Sequence, residues 1–313
     1  MNTVAESIRG RAVRAMPGGI TRTTVHVRPH PPYAAKGVGA RIVDVNGHEV
    51  IDANNNYTSL INGHAHPDIV RTATEAVHNG SAFGLPTAGE VELAETLSER
   101  TGMAHWRFCN SGTEAVMMAL RCARAVTGRS LVVRFSGSYH GTYDGVVDGA
   151  LPGLARDLAH STLVLARGDM DAFAGAMKQH GAEIAAVLID LMPNRAGLVP
   201  ADPAFVEAVS RQARAHGALL VVDEVITFRL AYGGMSSLYG LRPDIMVAGK
   251  VIGGGFPAGA IGGSTEILRP FDPNGVSVIG WGGTFSANPV TMKAGRTALD
   301  MFDHVAIDRL NAA

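Results

Sequence analysis

Along most of its length the chain alternates between two hydrophobic periods. Apolar positions at helical spacing recur near 67–79, 88–101, 112–127, 170–180, 203–216 and 286–303. Between many of them lie short β-rich runs at 130–135, 161–166, 184–190, 217–223, 244–248 and 258–263. Two runs, Ala186-Val187-Leu188-Ile189 and Leu219-Leu220-Val221-Val222, are apolar at every position. Both faces of such strands must be covered, as in a parallel sheet flanked by helices. The pattern therefore predicts an α/β domain of three layers, α/β/α, with a mainly parallel sheet over residues 60–290.

Before this region, residues 3–15 fit a short helix that stops ahead of Pro17-Gly18-Gly19. Asn46-Gly47 separates the runs 41–45 and 48–52, a strong hairpin signal. The expected organisation is an N-terminal segment with helix and hairpin over 1–59, the large domain over 60–290, and a connecting helix over 291–313.

Composition narrows the function classes. Apolar residues are 46% and charged residues 18% of 313, so disorder is excluded and much of the chain should be buried. A net charge of −1 gives no support for a nucleic-acid partner. No apolar run reaches the roughly 18 residues of a membrane span. The charged N-terminus, with Glu6, Arg9, Arg11 and Arg14, does not resemble a signal peptide. A soluble, cytoplasmic chain is expected, with Cys109 and Cys122 as buried, reduced thiols. Glycine is the outlier: 38 of 313 residues, about 12% against a usual share of about 7%.

The chemistry-bearing residues follow the strands, where ligands bind in such sheets. Asn110-Ser111-Gly112-Thr113-Glu114 opens a helix, and its hydroxyl and free amides suit a phosphate. Ser138-Tyr139-His140-Gly141 offers an aromatic face. Asp223 ends an apolar strand without an obvious local cation, which suits a protonated ligand nitrogen as its partner. Lys250 follows the apolar run 245–248 and precedes Gly253-Gly254-Gly255; a lysine in apolar surroundings suits a Schiff-base nucleophile. Gly282-Gly283-Thr284 before the last long helix again suits a phosphate. One cofactor, pyridoxal 5′-phosphate, needs all of these: an anchored phosphate, a stacked ring, a protonated ring nitrogen and a lysine.

In the same order these motifs resemble those of the class-III aminotransferases, which are fold-type I pyridoxal-phosphate enzymes. The closest likeness is to the branch of glutamate-1-semialdehyde aminomutase and the β-amino-acid aminotransferases. The resemblance runs from about Met16 to the 286–303 helix. It implies that Lys250 carries the cofactor aldehyde and that Asp223 pairs with the ring nitrogen. Gly112 and Thr113 would hold the phosphate with Ser111 beside them. Tyr139 and Val225 would flank the ring. Thr284 would reach the phosphate of the neighbouring subunit in a homodimer. His140 and Glu224 would be mainly structural. In the segment Met16-Pro17-Gly18-Gly19-Ile20-Thr21-Arg22, Arg22 would bind the substrate carboxylate, as in the β-amino-acid branch; the aminomutase position falls at Val25, with nearby Arg28 the other candidate. The family also implies a C-terminal small domain that this sequence does not contain, whether lost, truncated or outside it.

The expected activity is transfer of an amino group between an amino acid, including β-amino acids, and an oxo acid. An aminomutase or racemase on the same scaffold is the near alternative, and a catalytically impaired binding protein the distant one. The segment Asp190-Leu191-Met192-Pro193-Asn194-Arg195 departs from the family's Glu-Pro turn and puts the substrate in question.

Overall fold

In a computed structural model of the chain, residues 4–147, 151–154, 161–276 and 278–313 are described. By internal contacts they form two compact units, Met1–Val70 and Arg71–Ala313.

The first unit opens with α1 (Val4–Ala15), as the periodicity predicts; Thr3, the first residue of the expected helix, lies outside the described residues. The Asn46-Gly47 hairpin is present: β2 (Arg41–Asp44) pairs antiparallel with β3 (Glu49–Ile51), with Ile42 opposite Val50. A further strand, β1 (Ala34–Val38), pairs with β2. The pattern missed it because Ala34-Ala35-Lys36-Gly37-Val38 is mostly exposed and shows no alternation.

The second unit is built on a seven-stranded sheet in the order β4-β10-β9-β8-β7-β5-β6. Its strands are β4 (His105–Cys109), β5 (Leu131–Phe135), β6 (Thr162–Leu165), β7 (Ile184–Ile189), β8 (Leu219–Asp223), β9 (Ile245–Gly249) and β10 (Gly259–Gly263). Pairs β5–β6, β5–β7, β7–β8 and β8–β9 are parallel. β10 runs antiparallel to both β9 and β4. The sheet is thus mainly parallel, with one reversed strand.

Helices α2 (Pro67–Asn79), α3 (Ala88–Thr101), α4 (Gly112–Thr127), α5 (Met170–His180), α6 (Pro203–Ala215), α7 (Pro289–Asp300) and α8 (His304–Asn311) complete the order. The two-faced strands sort their side chains by alternation. Ala186, Leu188, Val221 and Val247 face α4 through Val116, Ala119 and Leu120. Val187, Ile189, Leu220 and Val222 face α5 and α6 through Phe173, Met177, Phe205 and Val209. Each fully buried large apolar side chain contributes about 1.5–3 kcal/mol, so the layers are held by the strand pattern itself.

The expected 286–303 helix is shorter and is followed by a second one. Asn288 accepts from the Thr291 amide, and Pro289 starts α7. After Met301 and Phe302, Asp303 caps α8 by accepting from the Ala306 amide. Gly295, inside α7, lies against the turn after β9, where a Cβ would collide with the Ile252 carbonyl.

Candidate active site

The site gathers at the carboxyl ends of β5, β7, β8 and β9, where neighbouring turns diverge from the sheet. β4 delivers the chain to Ser111, the N-cap of α4. Ser111 Oγ accepts from the Glu114 amide at 3.2 Å and donates to Glu114 Oε2 at 3.0 Å; Glu114 Oε2 also accepts from the Asn110 amide at 2.9 Å. The cap therefore closes around the residue before Ser111. It leaves the first-turn amides of Gly112 and Thr113, which have no partner inside the helix, at the positive end of the helix dipole. Gly259 of β10 lies directly against this cap: a Cβ there would collide with the Ser111 carbonyl.

The turn after β5 bears Tyr139, His140 and Gly141. Gly141, at φ +100°, packs on Thr113 so tightly that a Cβ would collide with the Thr113 hydroxyl. The Thr142 amide donates to Thr113 Oγ1 at 3.3 Å. These contacts join the aromatic turn to the N-terminus of α4. Tyr139 is partly exposed, whereas His140 is buried.

Asp223 ends β8 and is 6% exposed. Its Oδ2 accepts from His140 Nδ1 at 2.7 Å, and its Oδ1 accepts from the Val225 amide at 3.0 Å. The imidazole is the partner that no local residue suggested, since it lies on another turn of the sheet. Val225, two residues on, packs close to both Gly112 and Gly249: a Cβ there would meet its methyls at 3.1 and 3.3 Å. Glu224 points the other way. It is wholly buried and accepts from Thr227 Oγ1, the Met235 amide, and the amide and hydroxyl of Ser236. With its oxygens so occupied it fits the structural reading.

Lys250 sits in the first residue after β9 with φ +50°, a left-handed backbone that few non-glycine residues adopt. Burial pushes its ammonium below the usual lysine range, opposed by the negative fields of Asp223 and Asp190. Asp190 is the residue the family motif did not supply. It follows β7, is 8% exposed, and accepts from the Met192 amide at 2.9 Å. Burial, and then the charge of Asp223, push its carboxyl up to about 6.

The structure thus brings Ser111, Gly112, Thr113, Tyr139, Asp223, Val225 and Lys250 to one end of the sheet. Thr284 lines a different hollow, with Phe83, Leu85, Thr87 and Asn288. Arg22 belongs to the first unit; its Nη1 donates to Asn56 Oδ1 at 3.1 Å and its guanidinium lies 5.7 Å from the Tyr57 ring centre. Among the described residues no cluster of three or more His, Cys, Asp and Glu side chains could hold a metal.

This donor set suits pyridoxal phosphate. Free helix amides would suit a phosphate, burial lowers the lysine ammonium against the fields of two nearby carboxylates, and His140 Nε2 is buried without a protein partner among the described residues. Fold and site together define a fold-type I pyridoxal-phosphate enzyme. The class-III aminotransferase family profile matches residues 23–311, and the chain belongs to that family, whose members depend on pyridoxal phosphate. A glutamate-1-semialdehyde 2,1-aminomutase from Methanothermobacter thermautotrophicus is 39% identical over 310 residues, covering 96% of this chain and 73% of that protein. The crystal structure of an omega-transaminase from Sphaerobacter thermophilus superposes with a TM-score of 0.96 at 46% identity, covering 99% of this chain and 75% of that one. A β-phenylalanine aminotransferase from Variovorax paradoxus gives a TM-score of 0.92 at 36% identity, over 98% of this chain and 72% of that one.

Proposed function

We propose that this class-III enzyme is an aminotransferase with Lys250 as its proton-transferring base and Asp223 as its charge partner. The observation that carries the reading is Lys250, half-buried just after β9 at φ +50°, within the negative fields of Asp223 and Asp190. Bound pyridoxal phosphate supplies an electron sink and a carbonyl that takes up the amino group. Lys250 Nζ, whose neutral form burial favours, would hold the cofactor's aldehyde and serve as the base that takes the proton from the amine-bearing carbon of the substrate. Asp223, oriented by His140 and the Val225 amide, would pair with the cofactor's ring nitrogen and favour its protonated form. The Gly112 and Thr113 amides would hold the phosphate, Ser111 shapes their turn, and Tyr139 and Val225 would flank the ring. For the substrate carboxylate the resemblance offers Arg22, the residue of the β-amino-acid branch, which would bring β-amino acids into the substrate range. Thr284 acts across a homodimer interface, and the enzyme works in the cytoplasm. In support of that compartment, both cysteines are free, buried thiols. Among the described residues no helix is long and apolar enough to cross a membrane.

The test is a visible spectrum after incubation with pyridoxal phosphate. A band removed by borohydride, with the label on Lys250, supports the assignment. A colourless chain, or a label elsewhere, sinks it. A second reading, an intramolecular aminomutase, is favoured by the 39% identical relative that bears that name. Conversion of substrate without any added amino acceptor separates the two.

A further inference from the structure

The turn after β7 carries one feature that neither the family motif nor the mechanism uses. Arg195 places its guanidinium 4.7 Å from the centre of the Tyr139 ring. The turn is pinned: the Ala196 and Leu198 amides both donate to the Pro193 carbonyl at 3.1 Å, and the Ala201 amide donates to the Leu191 carbonyl at 2.8 Å. It also interlocks with the turn after β5, because a Cβ on Gly137 would meet Ala196 Cβ at 2.9 Å. Arg195 is therefore held at the rim, on the two turns that supply Asp190 and Tyr139.

Charge distinguishes it further. Among the described residues of the turns after β5, β7, β8 and β9, the cationic side chains are Arg195, Arg229 and Lys250. Arg229 is partly buried, and Lys250 is engaged at the floor. Arg195 is exposed and has no carboxylate of the described residues in ion-pair range. Asp190 and Asp223, after β7 and at the end of β8, put negative field on the same end of the sheet, which repels an anion. A substrate carboxylate therefore finds its attraction at the rim, where a guanidinium offers a planar, bidentate donor.

We propose that Arg195, stacked on Tyr139, binds a carboxylate of the amino-acid or oxo-acid substrate and selects acids over uncharged amines. The assignment rests on the aminotransferase reading. Tyr139 holds the guanidinium by its ring face, and the turn geometry sets how far the acid group stands from Lys250.

The test compares holoenzymes on two amino donors: 3-amino-3-phenylpropanoate and 1-phenylethylamine, which lacks the carboxylate. Arg195→Gln should lower the ratio of kcat/KM for the acid to that for the amine by about 10- to 100-fold, the worth of one charge-assisted hydrogen-bonding group. Arg195→Lys, which keeps the charge but loses the fork, should fall between; should the Gln variant not fold, the Lys variant carries the test through the same ratio. A purely structural role would change both donors alike, so a ratio within about twofold of the parent's overturns the assignment. Failure of the underlying reading is distinguishable: the unmutated enzyme would then transfer an amino group from neither donor nor any other, and the assignment would fall with it.

Discussion

His140 donates its Nδ1 proton to Asp223 across 2.7 Å, with both side chains buried. The turn after β5 thereby orients the carboxylate at the end of β8, two strands away in the sheet. One oxygen of Asp223 is held by the imidazole and the other by the Val225 amide.

Asp223→Asn should keep pyridoxal phosphate on Lys250 and lose at least about 100-fold in turnover, the lower range for a positioned proton-handling group. Spectra and single-turnover rates read the two effects separately; an unchanged rate removes Asp223 from the electron-sink role. His140→Ala should act chiefly on folding, since it leaves a buried Asp223 oxygen unpaired, at a cost of about 1–3 kcal/mol. Chemical denaturation midpoints check that figure.

Asp190 makes stability depend on pH. Its carboxyl ionises near 3.8 in an unfolded chain and is raised to about 6 in the fold by burial and by Asp223. Between those values the native state holds the proton more tightly, so stability is full below about pH 4, declines as pH rises toward 6, and stays reduced above it. Asp190→Asn keeps an oxygen for the Met192 amide and removes the charge. Without cofactor, the variant should be more stable than the parent at pH 8 by about 3 kcal/mol, and nearly equal to it at pH 4. Equal midpoints at both pH values would refute the linkage.

Gly259→Ala should damage two things at once. The added methyl collides with the Ser111 carbonyl and comes to 2.9 Å of Cys109 Sγ. Backbone lies on the far side, so β10 and the α4 cap must separate, at about 1–3 kcal/mol. Cofactor affinity should fall by about tenfold or more, measured by fluorescence or absorbance titration.

The cysteines should be inert. Burial pushes both Cys109 and Cys122 up to about 12. Thiolate is the reactive form, so a thiol reagent at pH 8 should label neither in the native chain and both after unfolding. Rapid native labelling would show that the interior around α4 opens.

Much of this architecture was legible because its strands are buried on both sides. Ala186–Ile189 and Leu219–Val222 have no polar position to place elsewhere, and the capping residue Ser111 marks a helix start, whereas the cap at Asn288 was passed over. The direction of β10 was not legible: Gly-Ala-Ile-Gly-Gly carries no sign of which way it runs, and its reversal follows from the short return between Lys250 and Ala258. The site divided in the same way. Lys250, Asp223 and the Ser111–Thr113 turn sit in local patterns that state their chemistry. The His140–Asp223 bond spans 83 residues, and the Arg195–Tyr139 stack joins separate turns. Such pairs exist only once the sheet has ordered its strands.

The contact of Gly295 with Ile252 has a mechanical meaning. A glycine inside a helix sacrifices about 0.5–1 kcal/mol relative to alanine, and here it lets α7 rest its backbone on the turn that bears Lys250. Close-packed interiors transmit strain rather than absorb it. The reactive amine is therefore registered to a helix axis as well as to the end of its strand. A sub-ångström slide of α7 would retune the reach of Lys250 without touching any residue of the site.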